Sequence, residues 1–311
     1  SLYMFVWLSI FPLCFIIYSL KQPDDWSYLP IGILCVTLIF ALVGIYQVFI
    51  FKRVSSSFFL EKNTYAGMLN LIVHPTTAWF IISMNKRKKS LSIFLCIALF
   101  ILFFAFFQTG SRGSTISLFF GLFFIVLINL NYIENFSFFK VAIIVFITFL
   151  FANIQNEGLG VNRLVDLYTS ENPNPILQRQ LVWRSAWEII KTAPIMGTGI
   201  GTFFIVSPPY RNANDYTSGF FVHNDFLQFW LETGFVGLTL MVLIMFAAIK
   251  LFILVLKHRD LKLQDRLEIT GLMAGLSAVV IHTFVDFNLY IIAVLMIMGL
   301  MCARIQEISE Y

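Results

Sequence analysis

About nine blocks of apolar residues, each as long as a bilayer core is thick, constrain this chain more than any other feature. They fall near Leu2–Leu20, Ile31–Phe51, Ala66–Met84, Ser90–Phe107, Ser114–Leu130, Phe138–Ile154, Phe226–Leu256, Ile269–Val285 and Leu289–Cys302. Backbone N–H and C=O groups find no water in hydrocarbon, so blocks of this length must be helices. The expected fold is therefore all-α: a polytopic transmembrane helical bundle of about nine spans. At 59% hydrophobic and 12% charged residues, an ordinary soluble domain is excluded. The chain opens on Ser1 and is apolar at once, so further spans are expected upstream, and no cleavable signal is evident. Cys14, Cys35, Cys96 and Cys302 all lie inside proposed spans without a CxxC pair, and read as small packing residues.

The basic residues sort by loop parity. Lys21, Lys86, Arg87, Lys88, Lys89, Lys140, Lys257, Arg259, Lys262 and Arg266 fall in short loops of one parity, with Arg304 after the last span. Short loops of the other parity hold only Lys52, Arg53, Lys62 and Arg112. Because cytoplasmic loops carry the Lys/Arg excess, the first set is assigned to the cytoplasm. Residues 155–222, the turn at Gln108–Gly113 and the connection around Asp286 then lie outside. The net charge of +4 is in this reading a topology signal and gives no reason to expect nucleic acid as a partner. The expected division is residues 1–154 as helices one to six, 155–225 as a large outside loop, and 226–311 as helices seven to nine.

That loop is the segment with room for chemistry. It carries Arg163, Arg179, Arg184, Arg211 and His223 among prolines, glycines and tryptophans. Asn174-Pro175 reads as a helix start, with Asn as cap and Pro at the first position, and Pro194 with Gly197 reads as the stop. On a helical wheel Val182, Ala186, Ile189, Ile190 and Ala193 share one face and Arg184, Glu188 and Lys191 the other, the pattern of an amphipathic helix lying on a membrane surface. Arg179 interrupts the apolar face one turn before Trp183. Such a cation calls for an anionic partner, unless it snorkels to headgroups. Arg184 also reads as a solvated charge beside Glu188. Arg112, in the tight turn Thr109–Gly113, is either a headgroup anchor or a site residue, and Arg211 follows the rigid Pro208-Pro209-Tyr210.

His223 stands just before Asn224 and Asp225, either of which could cap the long helix that follows. Beside four arginines on the same side, an imidazole is the natural proton acceptor for an attacking hydroxyl. Gly197-Thr198-Gly199-Ile200-Gly201 looks like a phosphate loop, but no strand precedes it and a helix-ending turn fits better. His282 and Asp286, four apart, could share a helix face as packing or supporting residues, and His74 inside a span reads as structural. A Walker sequence, HExxH and a DxD pair are all lacking, which argues against a cytoplasmic nucleotide-sugar enzyme.

Taken in order, Ser111-Arg112-Gly113, then Arg179-Gln180-Leu181-Val182-Trp183 leading to Pro194 and Gly197-Thr198-Gly199, then His223-Asn224-Asp225 with Glu232-Thr233-Gly234, and His282 through Asp286-Phe287 resemble the O-antigen ligase and polymerase superfamily of bacterial envelope glycan enzymes. Phe58–Leu69, with Asn63, is similar to that family's Asn-containing loop before a span. The resemblance covers most of the chain. It implies a C-type glycosyltransferase-like architecture in the bacterial inner membrane, with amphipathic helices in a periplasmic loop. It also implies transfer of a glycan from a polyprenyl (undecaprenyl) diphosphate carrier to an acceptor hydroxyl on the periplasmic face, without metal, nucleotide or other cofactor. The acceptor would be lipid A-core, a second lipid-linked glycan or a protein Ser or Thr.

On that reading His223 is the base, and Arg179 and Arg112 stabilise the departing diphosphate, with attack opposite the leaving group inverting the anomeric centre. Arg211, Arg184, Asn63, Glu232, His282 and Asp286 complete the candidate set as substrate-binding residues. Trp183, Trp187 and Trp230 fit an interfacial belt as well as sugar stacking. A lipid-linked glycan flippase is the competing reading, disfavoured because the spans hold almost no ionisable residue near the midplane and show no internal repeat. A noncatalytic assembly subunit would leave Arg179 on an apolar face unexplained.

Overall fold

The computed structural model describes residues 2–20, 28–59, 61–132, 135–155, 175–257 and 261–310. Lys21, Arg163, Asn174 and Arg259 lie outside the described residues. Among those described, all regular structure is helical: α1 (Leu2–Ser19), α2 (Leu29–Phe51), α3 (Lys62–Asn85), α4 (Lys89–Gln108), α5 (Arg112–Asn129), α6 (Asn135–Gln155), α7 (Pro175–Thr192), the short α8 (Phe203–Val206), α9 (Asp225–Leu256), α10 (Leu263–His282) and α11 (Ile292–Glu310), with 3-10 turns at Pro208–Tyr210 and Asn288–Tyr290.

Seven of these helices are long and apolar enough to cross a membrane: α2 to α6, α9 and α11. Each overlaps a span expected from the sequence, α11 running on past the expected end at Cys302. The other two expected spans correspond to α1 and α10. α10 is marked apart by Asp265, Arg266 and Glu268, crowded into its first two turns ahead of an apolar remainder. α9 is also not one continuous span, because Gly234 leaves helical geometry at φ 68° and ψ −171° and breaks it after nine residues, Asp225–Thr233.

The chain divides into two compact units. The larger comprises Phe11–Asp166, Lys262–His282 and Met296–Tyr311. Its centre is α3, buried along most of its length and packed by α10, α4 and α5. Lipid is as apolar as leucine, so helices in a membrane associate through close packing and interhelical hydrogen bonds. Both devices are present. A Cβ on Gly271 would stand 2.5 Å from Ala78 Cβ, so only glycine allows α10 this close to α3. Asn70 Nδ2 donates to the Ser117 hydroxyl at 2.9 Å and to the Ser114 carbonyl at 3.2 Å, and Asn129 Nδ2 donates to Thr270 Oγ1 at 3.2 Å. His74 is structural as the sequence suggested: its ring nitrogens face the Asn70 and Leu118 carbonyls at 2.6 and 3.2 Å. The smaller unit comprises Ser1–Ile10, Leu167–Leu261 and Thr283–Leu295, and it holds α7, α9 and the connections around them.

Candidate functional site

The smaller unit is built on α7. Pro175 occupies the first helical position, where its missing N–H costs nothing, and the helix runs to Thr192. Its apolar face is the one read from the wheel, but that face does not lie on a membrane. Val182, Ala186, Ile189 and Ile190 are buried against Phe203, Val222 and Leu231, with Trp183, Val206, Leu227 and Trp230 around them. Burying each large aliphatic of this stripe contributes about 1.5–3 kcal/mol relative to leaving it in water. Trp187 and Trp230 meet edge to face at 5.4 Å.

Beyond α7 the chain turns at Gly197 (φ +72°) and docks on the break in α9. Thr198 and Gly199 donate their N–H groups to the Leu231 and Glu232 carbonyls, both at 2.9 Å, and Phe235 N–H donates to the Pro194 carbonyl at 2.9 Å. Backbone groups released by the break are thereby satisfied. A Cβ on Gly234 would sit 2.1 Å from the Ile195 carbonyl oxygen, and one on Gly197 2.5 Å from Glu232 backbone. The two glycine-bearing stretches are halves of one joint. The Gly197–Gly201 stretch is thus a helix-ending turn: Gly197 N–H donates to the Ala193 carbonyl, and those of Thr198 and Gly199 are spent on α9 and not offered to a phosphate.

Glu232 is buried at this joint and accepts from Gln228 Nε2 at 3.2 Å and Tyr290 OH at 2.7 Å. Burial, with the Glu232 charge beside it, pushes the Tyr290 phenol well above its ordinary pKa. Asn224 is the helix cap, accepting from Leu227 N–H at 3.0 Å. Asp225 instead turns inward, accepting from Leu289 N–H at 2.9 Å, while its own N–H donates to Thr283 O at 2.9 Å. These bonds tie the start of α9 to residues 283–290.

That tie places His223 against Asp286. His223 takes a left-handed φ of 56°, and its Nδ1 lies 3.4 Å from Asp286 Oδ1. The ring stands edge-on to Phe287 at 5.1 Å, and Phe287 is itself stacked on Phe221 at 4.1 Å. Asp286 is buried; its Oδ1 also accepts from Phe287 N–H at 3.0 Å, and its Oδ2 lies 3.9 Å from Arg179 Nη2. The anionic partner expected for Arg179 is this carboxylate. One acid therefore serves both the imidazole and the guanidinium, an arrangement that can orient a proton acceptor and hold a cation beside it. A metal ion at the same carboxylate would meet the guanidinium's charge.

Two further candidates of the smaller unit, Arg211 and Arg184, are not among these contacts. Arg211 turns to its own loop: Nε donates to Asp215 Oδ2 at 2.9 Å and Nη2 to the Thr217 and Asp215 carbonyls at 2.7 and 3.3 Å. Burial works against charge on Asp215, but Thr217 and the Arg211 guanidinium outweigh it and hold the carboxyl below its ordinary pKa. The loop is fastened to α7 by Gln178, which donates to Asn214 O at 3.1 Å and accepts from Tyr216 N–H at 2.8 Å, and by Ser185 OH, which donates to Tyr210 O at 2.8 Å. Arg184 is exposed, and its neighbour Glu188 pairs with Lys191 at 2.7 Å.

Three candidates belong to the larger unit. Arg112 opens α5, Asn63 lies in the first turn of α3, and His282 is buried with its ring 3.1 Å from Ser114 Oγ. α10 ends at His282, so Asp286 lies beyond the helix and the two do not share a helix face as the spacing suggested.

Sequence reasoning treated Asp286 as a supporting residue and missed that it joins His223 to Arg179. The signal available was the cation on an apolar face, which demanded an acid without saying which. Among known proteins, residues 97–242 match the family model described as O-antigen ligase. That span takes in Arg112, Arg179, Arg211, His223 and Glu232 and stops short of Asp286. No curated protein sequence matches the chain.

Proposed function

Since the chain belongs to the O-antigen ligase family, we propose that it transfers a glycan from a polyprenyl diphosphate carrier to an acceptor hydroxyl at the periplasmic face of the bacterial inner membrane. The observation that carries this reading is Asp286, buried within 3.4 Å of His223 Nδ1 and 3.9 Å of Arg179 Nη2. With Nδ1 turned to the carboxylate, Nε2 is the atom of the ring left to take the acceptor's proton. The carboxylate fixes that tautomer and stabilises the imidazolium that forms. A contact of 3.4 Å is long for a hydrogen bond and of the kind that tightens when substrate fills a site.

On the donor side, Arg179 and Arg112 pair with the diphosphate as negative charge develops on it. A guanidinium suits this role because its planar fork binds phosphate oxygens bidentately and stays charged. Arg211 acts through the loop it pins, and Asn63, His282, Glu232 and Arg184 line or support the substrate path. Attack opposite the leaving group inverts the anomeric centre. Arginine and histidine supply the catalysis in this scheme, so transfer is expected to survive chelation. The scheme belongs with a C-type glycosyltransferase-like bundle in which α1 and α10 also cross the membrane, making nine spans. The acceptor is lipid A-core, a second lipid-linked glycan or a protein Ser or Thr. Reconstitution with lipid-linked donor and each acceptor tests the proposal. Free polyprenyl diphosphate should appear in step with a product of inverted configuration, whereas movement of intact donor across the bilayer without its release would make the protein a transporter.

A further inference from the structure

In the larger unit, α5 packs against α3 and α10 while α6 packs against α4, so two helices consecutive in the chain leave a cleft between them, floored by Thr77 and Ile81 of α3. The cleft has a volume of about 390 Å³. Its walls are apolar, with Phe119, Phe123 and Val126 on one side and Phe138, Val145 and Phe149 on the other. Thr77 offers no free donor, because its hydroxyl bonds to the Val73 carbonyl at 2.8 Å. Such walls satisfy no polar ligand, so the occupant must be hydrocarbon.

Arg112 stands on the same helical stripe as this wall. Positions 112, 116, 119, 123 and 126 follow the i, i+4, i+7, i+11, i+14 spacing of one helix face, and Ile116, Phe119 and Phe123 are exposed along it. Phe119 and Val126 lie about 10 and 21 Å along the axis from Arg112, at about 1.5 Å per residue. A cation therefore heads an apolar track that runs into an apolar cleft. The depth of the cleft selects among lipids. Half a bilayer core is about 15 Å, so a phospholipid chain whose headgroup sits at Arg112 ends near the midplane, within the upper part of the cleft. A polyprenyl chain is longer than one leaflet and reaches the floor.

We propose that the α5–α6 cleft holds the polyprenyl chain of an anionic diphosphate carrier whose head is drawn to Arg112. This rests on the donor assignment made above and adds the hydrocarbon path to it. The test uses undecaprenyl diphosphate bearing a diazirine at the chain end remote from the phosphates, with the full chain in phosphatidylethanolamine–phosphatidylglycerol nanodiscs, irradiated and mapped by mass spectrometry. Labels should concentrate on 119–126 and 138–149. They should fall roughly tenfold under a tenfold excess of unlabelled undecaprenyl diphosphate, by mass action at one site, and persist under the same excess of phosphatidylglycerol. Labels spread evenly over lipid-facing positions such as Ile39 of α2 or Ile244 of α9, or displaced by phosphatidylglycerol, would overturn the inference.

Ala142→Trp, which fills the cleft from its exposed side, should cut labelling several-fold with an unchanged unfolding midpoint. Wild-type labelling of that variant would also overturn it, and if the variant fails to fold the competition experiment decides alone. Labelling needs no turnover: a labelled cleft in a protein that transfers nothing removes the enzyme reading only, and transfer without cleft labelling removes this inference only.

Discussion

Replacing Asp286 by Asn removes one charge and keeps the side chain's shape, and its effect on rate follows from the distances. In the proposed step His223 becomes an imidazolium 3.4 Å from the Asp286 carboxylate. Unit charges at that separation attract by about 5 kcal/mol at an effective dielectric constant of about 20. Proton transfer is incomplete at the transition state and the ring keeps 13% of its side-chain surface exposed, so the interaction is only partly expressed. About half of it, ~2–3 kcal/mol, is the stabilisation expected to be lost, a slowing of roughly 10²-fold. The assay is the initial rate of glycan transfer by purified Asp286→Asn, with the unfolding midpoint measured alongside because Arg179 loses its counter-charge. If Asp286 works through His223, the His223→Ala/Asp286→Asn pair should be no slower than His223→Ala alone. A loss under about threefold in the single variant, or losses that multiply in the pair, would refute the reasoning.

Arg179→Lys keeps the charge and removes the fork, and should lower the transfer rate by roughly 10- to 100-fold, the equivalent of one charge-assisted hydrogen bond of about 1.5–3 kcal/mol; full activity would leave Arg179 a point-charge role only. Gly234→Ala forces a Cβ to 2.1 Å from the Ile195 carbonyl at a φ of +68°, and should cost at least ~2 kcal/mol, read as a lowered unfolding midpoint in detergent; an unchanged midpoint would mean the joint between the two glycine stretches is not rigid. Asp215, whose carboxyl is held below its ordinary value of 3.8, contributes stability that is present above that value and is lost as pH falls through the lowered one. Asp215→Asn should therefore speed proteolytic nicking between Arg211 and Gly219 at neutral pH and cease to differ from wild type at the acid end, and equal nicking at neutral pH would contradict this.

The membrane-spanning helices were legible because their cause is local: an apolar run of sufficient length has no alternative to helix in lipid. The first residues of α7 and its apolar stripe were legible for the same reason. What covers that stripe was not, since Phe203, Val222 and Leu231 come from three later segments and nothing local tells a protein partner from a lipid one. The break in α9 escaped notice because Gly234 inside an apolar run is tolerated by a continuous helix, and only the Ile195 backbone pressed against it requires the bend. At the site, His223 and Arg179 stood out by residue type and position. Their shared acid did not, because Asp286 comes 63 residues after His223 and its place is fixed by Asp225, which ties the start of α9 to 283–290. Arg211 shows the reverse: its acid, Asp215, lies one turn's spacing along the chain, close enough to have been suspected from sequence.

Purified His223→Ala, supplied with lipid-linked donor and acceptor, puts the proposed chemistry to its most direct trial. Retained folding and no release of polyprenyl diphosphate above background is the expected result. Transfer at the wild-type rate by that variant would show that the imidazole does not take the acceptor's proton.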